Sequence, residues 1–521
     1  MLLADPLRRP RWVAELSLAG LALAVMAPGF GNRFVQDELP LILRNERVHT
    51  LAGPAGLFTT PYWHAPFPPA LYRPLATTAL ALQWQAGGGA PAIYRWVSAA
   101  LLAGAAIALF HLAALMLPWT VALAVAALFA VHPVHVEAVA LGINQGELAV
   151  GLLLCWATGW YIRARRRDRF GPREAAGILL LYVVAALFKE SALILPGLLL
   201  LAEFTVIGEP RGAGTRLVRL RPFYLACGLV IALLIGVRSL VLGGDTVGTF
   251  TAPSLIGAGP GGRALTMLGV VPHWVRLLFW PAELQADYGP REIVAATGWG
   301  PSQWAGLAVL LVAGAILWVA RRRVPTLAFG LGWIAVGLLP VSNLLVPTGI
   351  AVAERTLFLA SAGAAISAGA LLGAVLQPGD RGTAPGLRWA ALAAAVVLLG
   401  LGVWQSRSRI RVWHDQGTLL RQTVADAPSS IGAHLALVRF LEDSGSVAEA
   451  RRHYREAVLL NPGQLAQDRG LGDQYRSAGL CAPALRLYRR VLSVVPEDVL
   501  VRESLRRCTE SAESDSRHPK R

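Results

Sequence analysis

Apolar runs follow one another along this chain more densely than one soluble core could absorb. About 20 apolar residues in succession are needed to span a bilayer as a helix. Runs of that length or slightly shorter fall at 12–29, 93–116, 118–134, 141–162, 175–188, 191–207, 222–242, 302–320, 325–346, 356–377 and 388–404. A further stretch, 264–281, contains Pro272, His273 and Arg276, and reads either as a twelfth span or as a re-entrant or interfacial helix. Only 15% of the residues are charged, against about a quarter in soluble domains. The expected fold class is all-α: a polytopic helical membrane domain with about eleven spans, followed by a short helical-repeat domain.

The net charge of +16 would suggest nucleic acid in a soluble domain. Here the basic residues cluster in short loops between apolar runs, as at Arg163, Arg165, Arg166, Arg167 and Arg169. Topology explains them better, because short cytoplasmic loops retain Lys and Arg, and no nucleic-acid partner is expected. The run Trp12–Ala27 follows Arg8, Arg9 and Arg11 without a small-residue cleavage site, so it reads as a first span and signal anchor. With the N-terminus cytoplasmic, the clusters Arg163–Arg169, Arg211–Arg221 and Arg321–Arg323 fall inside if 264–281 does not cross. The loop 30–92, the segment His132–Glu137, Lys189-Glu190 and Asn343–Arg355 then share the external face, as does the C-terminus.

From about Trp413 the pattern turns amphipathic and repeats. Pro428, Pro462 and Pro496 are 34 residues apart, as are Gly445 and Gly479, Ala450 and Ala484, and Tyr454 and Tyr488. This is the period of the tetratricopeptide repeat (TPR), a pair of helices. The sequence therefore divides into a membrane domain over 1–405 and a repeat domain over 406–510, with repeats near 429–462 and 463–496. A tail over 511–521 is expected to be irregular. Of the four cysteines, none forms a CxxC pair; Cys481 and Cys508 could pair in an oxidising compartment.

The external face collects the polar residues of the membrane domain. Asp37 and Glu38 are adjacent carboxylates just beyond the first span. Such a pair can serve as a general base with its electrostatic partner, or bind a divalent cation. Taken alone, it also reads as two solvated loop charges. His132 and His135, at i and i+3 before Glu137, share a helical face. They fit hydrogen-bonded interfacial histidines better than a metal site with an undefined third ligand. Lys189-Glu190 and Glu354-Arg355 are opposite-charge pairs at apolar boundaries, where neutralisation is the structural reading and phosphate binding the functional one. Arg73 and Arg276 are further candidates for phosphate.

In order along the chain stand FVQDELPLILRN, LYRPLATTAL, HPVHVEAV, NQGELAV, LFKESALILP, VRLLFWPAELQADYGP, LLPVSNLLVPTGIAVAERTLFLASAG and VWHDQGTLL. This ordered set resembles the transmembrane and tetratricopeptide-repeat proteins of the GT-C superfamily of glycosyltransferases, which are protein O-mannosyltransferase-like. The resemblance implies an inverting transfer of a sugar from a polyprenyl-phosphate donor to an acceptor hydroxyl, on a protein recruited by the TPR domain. It implies Asp37 and Glu38 as the catalytic acid pair, and Arg355, Lys189 and Arg73 as donor-phosphate ligands. His132, His135, Glu137, Glu147, Glu190 and Glu354 are implied as support. A divalent metal stays open, with Asp37, Glu38 or His135 to hold one. The family commonly shows two aspartates where this chain has Asp-Glu, and Tyr-His-…-Asn where it has Tyr94, Arg95 and Ser98. Where relatives read Gly-Arg-Ala-Asp/Glu-Leu, it reads Asn144, Gln145, Gly146, Glu147 and Leu148.

Two other readings carry different expectations. A non-catalytic TPR scaffold for envelope assembly predicts that Asp37 is dispensable and the repeats are not. A lipid or solute transporter predicts inverted repeats and midplane charges, neither of which the sequence displays. The Ala-, Arg-, Leu- and Gly-rich usage suggests a GC-rich bacterial source, hence a plasma-membrane protein with its TPR domain in the periplasm. An impermeant thiol reagent on intact spheroplasts is expected to label Cys481 or Cys508 wherever they are reduced and exposed. Labelling only from the cytoplasmic side contradicts the shared external face.

Overall fold

A computed structural model of the chain describes residues 11–50, 54–63, 67–208, 213–244, 251–289, 292–376 and 384–517. Among the described residues there is no β-strand, only an isolated antiparallel bridge between Trp63 and Ala70. Among the described residues six helices are long and apolar enough to cross a membrane: Arg11–Gly29, Pro91–Ala113, Thr215–Val241, Pro301–Arg323, Glu354–Leu376 and Pro385–Trp413. A bent pair, Trp119–Ala130 with Pro133–Ala140, makes a seventh if its halves form one span. Shorter or more polar helices, including Gln145–Arg166, Pro172–Phe188, Leu195–Thr205 and Pro325–Leu338, pack among them. The chain is a multi-pass membrane protein. The helix that covers 264–281 runs Pro260–Phe279 and is not among the six.

Burial sorts these helices. Pro91–Ala113 and Glu354–Leu376 have 61% of their apolar window buried in protein, whereas Thr215–Val241 and Pro385–Trp413 have 6%. The outer helices therefore hold side chains such as Leu225, Leu233 and Leu240 outward, which suits hydrocarbon, where no water is lost or gained. Close packing inside uses small residues. A Cβ on Gly330 would lie 2.4 Å from Ser367 Oγ, and one on Gly363 would lie 2.5 Å from the Gly330 carbonyl. Only glycine at both positions lets these two helices approach so closely.

Several apolar runs break where the sequence places charge. The expected span 118–134 stops as a helix at Ala130 and bends by 48° into Pro133–Ala140. Pro133 has no N–H to continue the ladder, and His132 Nδ1 accepts from Val134 N (3.3 Å), capping the new turn. The runs 175–188 and 191–207 are separated by a 3₁₀ turn at Glu190–Ile194. The run after Pro325 gives way to a 3₁₀ turn at Leu339–Val341, and a second one, Glu354–Leu357, opens the next helix. These interruptions free backbone groups and bring polar side chains into the protein interior, where they find partners.

The chain divides into two compact units, Met1–Tyr288 with Ile293–Asp415, and Gly289–Glu292 with Gln416–Arg521. The helix expected to end near 404 continues to Ile410, followed by a 3₁₀ turn to Trp413. Polar side chains hold this extension in the membrane unit. Ser406 Oγ donates to the Val131 carbonyl (2.8 Å), Asn32 Nδ2 donates to the Ile410 carbonyl (2.9 Å), and Trp413 is fully buried. The change of unit therefore falls about ten residues after the position expected from apolarity alone, at Asp415 rather than 405.

In the second unit a leading helix, Gln416–Asp426, precedes two helical hairpins, Ile431–Asp443 with Val447–Leu460 and Gln464–Ser477 with Cys481–Val494. Gly445 (φ +80°) and Gly479 (φ +75°) make the left-handed turns between paired helices. Ala450 and Ala484 are buried at the close approaches. Tyr454 OH donates to Asp468 Oδ2 (2.7 Å) across the two hairpins, while Tyr488 OH donates to Asp473 Oδ1 (2.8 Å) within the second. The last helix, Val499–Arg517, extends through most of the segment expected to be an irregular tail; 518–521 lie outside the described residues. It brings Cys508 Sγ to 2.6 Å from Cys481 Sγ. Tyr454→Phe is expected to leave the buried Asp468 carboxylate short of a donor. That costs about 1–3 kcal/mol, readable as faster proteolysis of the repeat unit in the full-length protein; unchanged proteolysis contradicts it.

Candidate active site

The segment after the first span is tied down before it reaches the acid pair. Arg33 N donates to the His414 carbonyl (2.8 Å), and Phe34 and Val35 are buried. Gln36 then adopts φ +49°, a left-handed conformation that is uncommon for a residue with a Cβ. This reversal sends the two adjacent carboxylates to different places.

Glu38 turns inward and is fully buried. Its Oε1 accepts from Arg95 Nη1 (2.6 Å) and Gly142 N (2.7 Å), and its Oε2 from Arg95 Nη2 (2.8 Å) and Val35 N (3.0 Å). A carboxylate with every lone pair engaged by a charged fork and two amides is neither a ready base nor a metal ligand. Glu38 instead builds the loop. Its partner Arg95 is the residue that departs from the family pattern. Gln145, the other departure, exchanges amide hydrogen bonds with Gln83 (2.7 and 2.8 Å) and reaches Ser98 Oγ (3.3 Å). Both departures are thus paired within the protein.

Asp37 stays open to solvent, although protein surrounds it on most sides. That desolvation raises its carboxyl above the ordinary 3.8; Arg355 opposes the shift, and Glu137 and Glu38 add to it. A carboxylate that is accessible yet more basic than usual has the two properties required of a general base.

The neighbours of Asp37 come from the helix interruptions. Glu137 is buried and accepts from Arg355 N (2.8 Å), while Arg355 Nη1 donates to its other oxygen. Arg355 also interacts with Asp37 and Glu147. Glu147 pairs with Lys189, and Glu190 accepts Arg73 Nε (2.9 Å) within a two-pronged pair. Arg73 lies 5.4 Å from the Tyr62 ring centre. Lys189 interacts with Arg73 and Glu190 as well as Glu147, which links the pairs into one network. Seven of the predicted residues, Asp37, Glu137, Arg355, Glu147, Lys189, Arg73 and Glu190, thus belong to one cluster of charges. Among the three proposed phosphate ligands, Arg355 is the most accessible, at 22% against 16% for Lys189 and 14% for Arg73.

The remaining predicted residues face elsewhere. His135 is buried between the rings of Phe129 and Phe358 (4.5 and 4.6 Å between centres). Its Nε2 meets Ser361 Oγ (2.7 Å), whose proton goes to the Phe358 carbonyl (2.6 Å). His132 Nε2 donates to the Leu278 carbonyl (3.1 Å). Both histidines hold helix breaks in place. Glu354 is buried and accepts from Gln285 N (2.6 Å) and Tyr288 OH (3.2 Å), so its carboxylate is occupied by the segment after Phe279. Among the described residues no three of His, Cys, Asp and Glu are placed to share a metal ion. Sequence reading gave no role to Tyr62 or to 278–288, although the latter lies within the motif VRLLFWPAELQADYGP, and it took Arg95 as a departure from the family pattern rather than as the partner of Glu38.

No family model matches this chain, and no solved structure does. Among curated proteins, it is 24% identical to the protein O-mannosyl-transferase TMTC3 of Mus musculus, with 92% of the chain and 55% of that protein aligned. It is 24% identical to the protein O-mannosyl-transferase TMTC4 of Homo sapiens (85% of the chain, 66% of that protein). It is 26% identical to the protein O-mannosyl-transferase Tmtc1 of Drosophila melanogaster (87% of the chain, 62% of that protein). The chain spans about half to two thirds of the length of these relatives.

The Glu38–Arg95 pair, with side chains 0% and 2% exposed, yields a direct test of the loop's architecture. Arg95→Met strands a buried carboxylate and is expected to cost about 3–5 kcal/mol. Adding Glu38→Gln should recover part of that loss, a coupling that a double-mutant cycle by chemical denaturation in detergent would measure. Additive effects would show that the pair does not hold the loop.

Proposed function

We propose that this chain is a membrane glycosyltransferase that moves a sugar from a polyprenyl-phosphate carrier to a hydroxyl on protein, with Asp37 as the base. The single observation that carries the reading is the separation of the acid pair. Glu38 is consumed by Arg95, Gly142 and Val35, while Asp37 stays open next to Arg355. The names of the relatives, all protein O-mannosyl-transferases, supply the reaction class and make mannose the first sugar to try.

In this mechanism Asp37 takes the proton of a Ser or Thr hydroxyl, and the oxygen attacks the anomeric carbon. The bond from that carbon to the phosphate oxygen breaks, its electron pair leaves with the polyprenyl phosphate, and the configuration inverts. Arg355 stabilises the charge that builds on the departing phosphate, an interaction that strengthens towards the transition state. The Glu137 carboxylate fixes Arg355 through both its backbone and its guanidinium. The reaction face is external in this reading, and the repeat unit presents the acceptor protein.

A working base contributes about 10²–10⁴-fold. Asp37→Asn in full-length protein is therefore expected to lower transfer from polyprenyl-phosphate mannose to extracted envelope protein by that factor, at unchanged stability. Because the Asp37 carboxyl lies above 3.8, it protonates early as pH falls. The wild-type rate should then drop through that raised pKa on the acid side and stay level above it. An active Asp37→Asn protein, or an acid limb at the ordinary aspartate value, contradicts the assignment.

A further inference from the structure

After the helix Pro260–Phe279, residues 280–288 form a strap without regular structure, and the membrane unit holds this region at successive points. The Leu278 carbonyl receives His132 Nε2 (3.1 Å). The Pro281 and Ala282 carbonyls both receive Gln405 Nε2 (2.8 Å each). Leu284 is buried in a cluster with Val134, Val352 and Leu357, against which Tyr288 also packs. Gln285 N and Tyr288 OH both donate to Glu354 Oε1. Over 280–288 the strap carries two acidic side chains. Glu283 is 84% exposed, with Arg276 3.6 Å away. Asp287 lies between the two anchors on Glu354.

Glu354 adjoins Arg355 in the chain, and Arg355 is bound to Glu137 by backbone and side chain. Anchoring residues 285 and 288 on Glu354 therefore places Asp287 beside the Glu137–Arg355 pair. Its side chain remains open to solvent. Surrounding protein raises its carboxyl above the ordinary value, and Glu137 adds to the shift. Asp37 also feels Glu137. Two open carboxylates from different segments thus lie within reach of the charge of one buried glutamate.

We propose that Asp287 recognises the transferred sugar, accepting hydrogen bonds from hydroxyls of the hexose while Arg355 holds the phosphate of its polyprenyl carrier. The inference rests on the transferase reading and extends it to donor specificity. A phosphate seated on Arg355 puts the hexose one ester linkage away. A carboxylate so close would repel the phosphate itself, so it belongs at the neutral polyol end. Ionised Asp offers two acceptor oxygens and no donor, which suits a pair of neighbouring hydroxyls. Neither Asp37 nor the tied-down Glu38 is left to do this.

The test is binding, which needs no acceptor. Full-length wild-type, Asp287→Asn and Arg355→Gln proteins in nanodiscs are titrated with polyprenyl-phosphate mannose, glucose and galactose, and with polyprenyl phosphate lacking a sugar. Wild type should prefer one sugar-bearing lipid over the bare phosphate. Asp287→Asn should bind that lipid about tenfold or more weakly, the loss of a charge-assisted hydrogen bond, and bind bare polyprenyl phosphate unchanged. Arg355→Gln should weaken both. The inference is overturned if Asp287→Asn weakens both lipids equally or neither, or if wild type binds bare phosphate as tightly as every sugar-bearing form. Wild type binding none of these lipids overturns the transferase reading as well.

Discussion

The salt bridge between Glu137 and Arg355 is the contact on which the polar end of the membrane unit depends. It joins residues 218 positions apart, and each stands at an interrupted helix. A charge deprived of both water and partner is too costly to keep, so each broken helix end has to meet a complementary one. Arg355 meets Glu137, Lys189 meets Glu147, Arg73 meets Glu190, and Arg95 meets Glu38. Two of these pairs tie Glu38 and Arg73, in the segment after the first span, to Arg95 and Glu190, and the other two join helix ends to one another. They account for how a region of irregular backbone stays ordered among apolar helices.

The same pairing separates buried, occupied carboxylates from open ones. Glu38, Glu137 and Glu354 are each at most 2% exposed, and each accepts hydrogen bonds from elsewhere in the fold. Asp37 and Asp287 share their neighbourhood but stay open. Rigid buried pairs around two accessible carboxylates are the arrangement that the proposed transferase would need, since fixed supporting charges leave little to reorganise during reaction. Open side chains on firmly held segments are also suited to substrate turnover, because binding need not order them first.

Much of the helical architecture was legible in sequence because its signals are local. Span length, the 34-residue spacing of prolines, glycines and tyrosines, and basic loops need no knowledge of distant contacts. The positions of the breaks were legible in part, from Pro133 and from the charges at 189–190 and 354–355. What local pattern could not reveal was partner choice. Asp37 and Glu38 look alike on paper; the left-handed Gln36 and an arginine 57 residues away make one a scaffold and leave the other free. His132 and His135, a plausible ligand pair by spacing, proved to be braces for the bend. The extension of the last membrane helix to Trp413 was hidden because its anchors, Asn32 and Val131, lie hundreds of residues away.

The central claim is that the cluster around Asp37 transfers sugar to protein. It is tested most directly by comparing intact glycopeptides of envelope proteins from cells carrying wild-type protein or Asp37→Asn at equal expression. The account predicts that a specific set of glycopeptides disappears in the variant, and their masses would identify sugar and acceptor together. An unchanged glycopeptide profile, with unchanged turnover of polyprenyl-phosphate sugars in the same two strains, would contradict it.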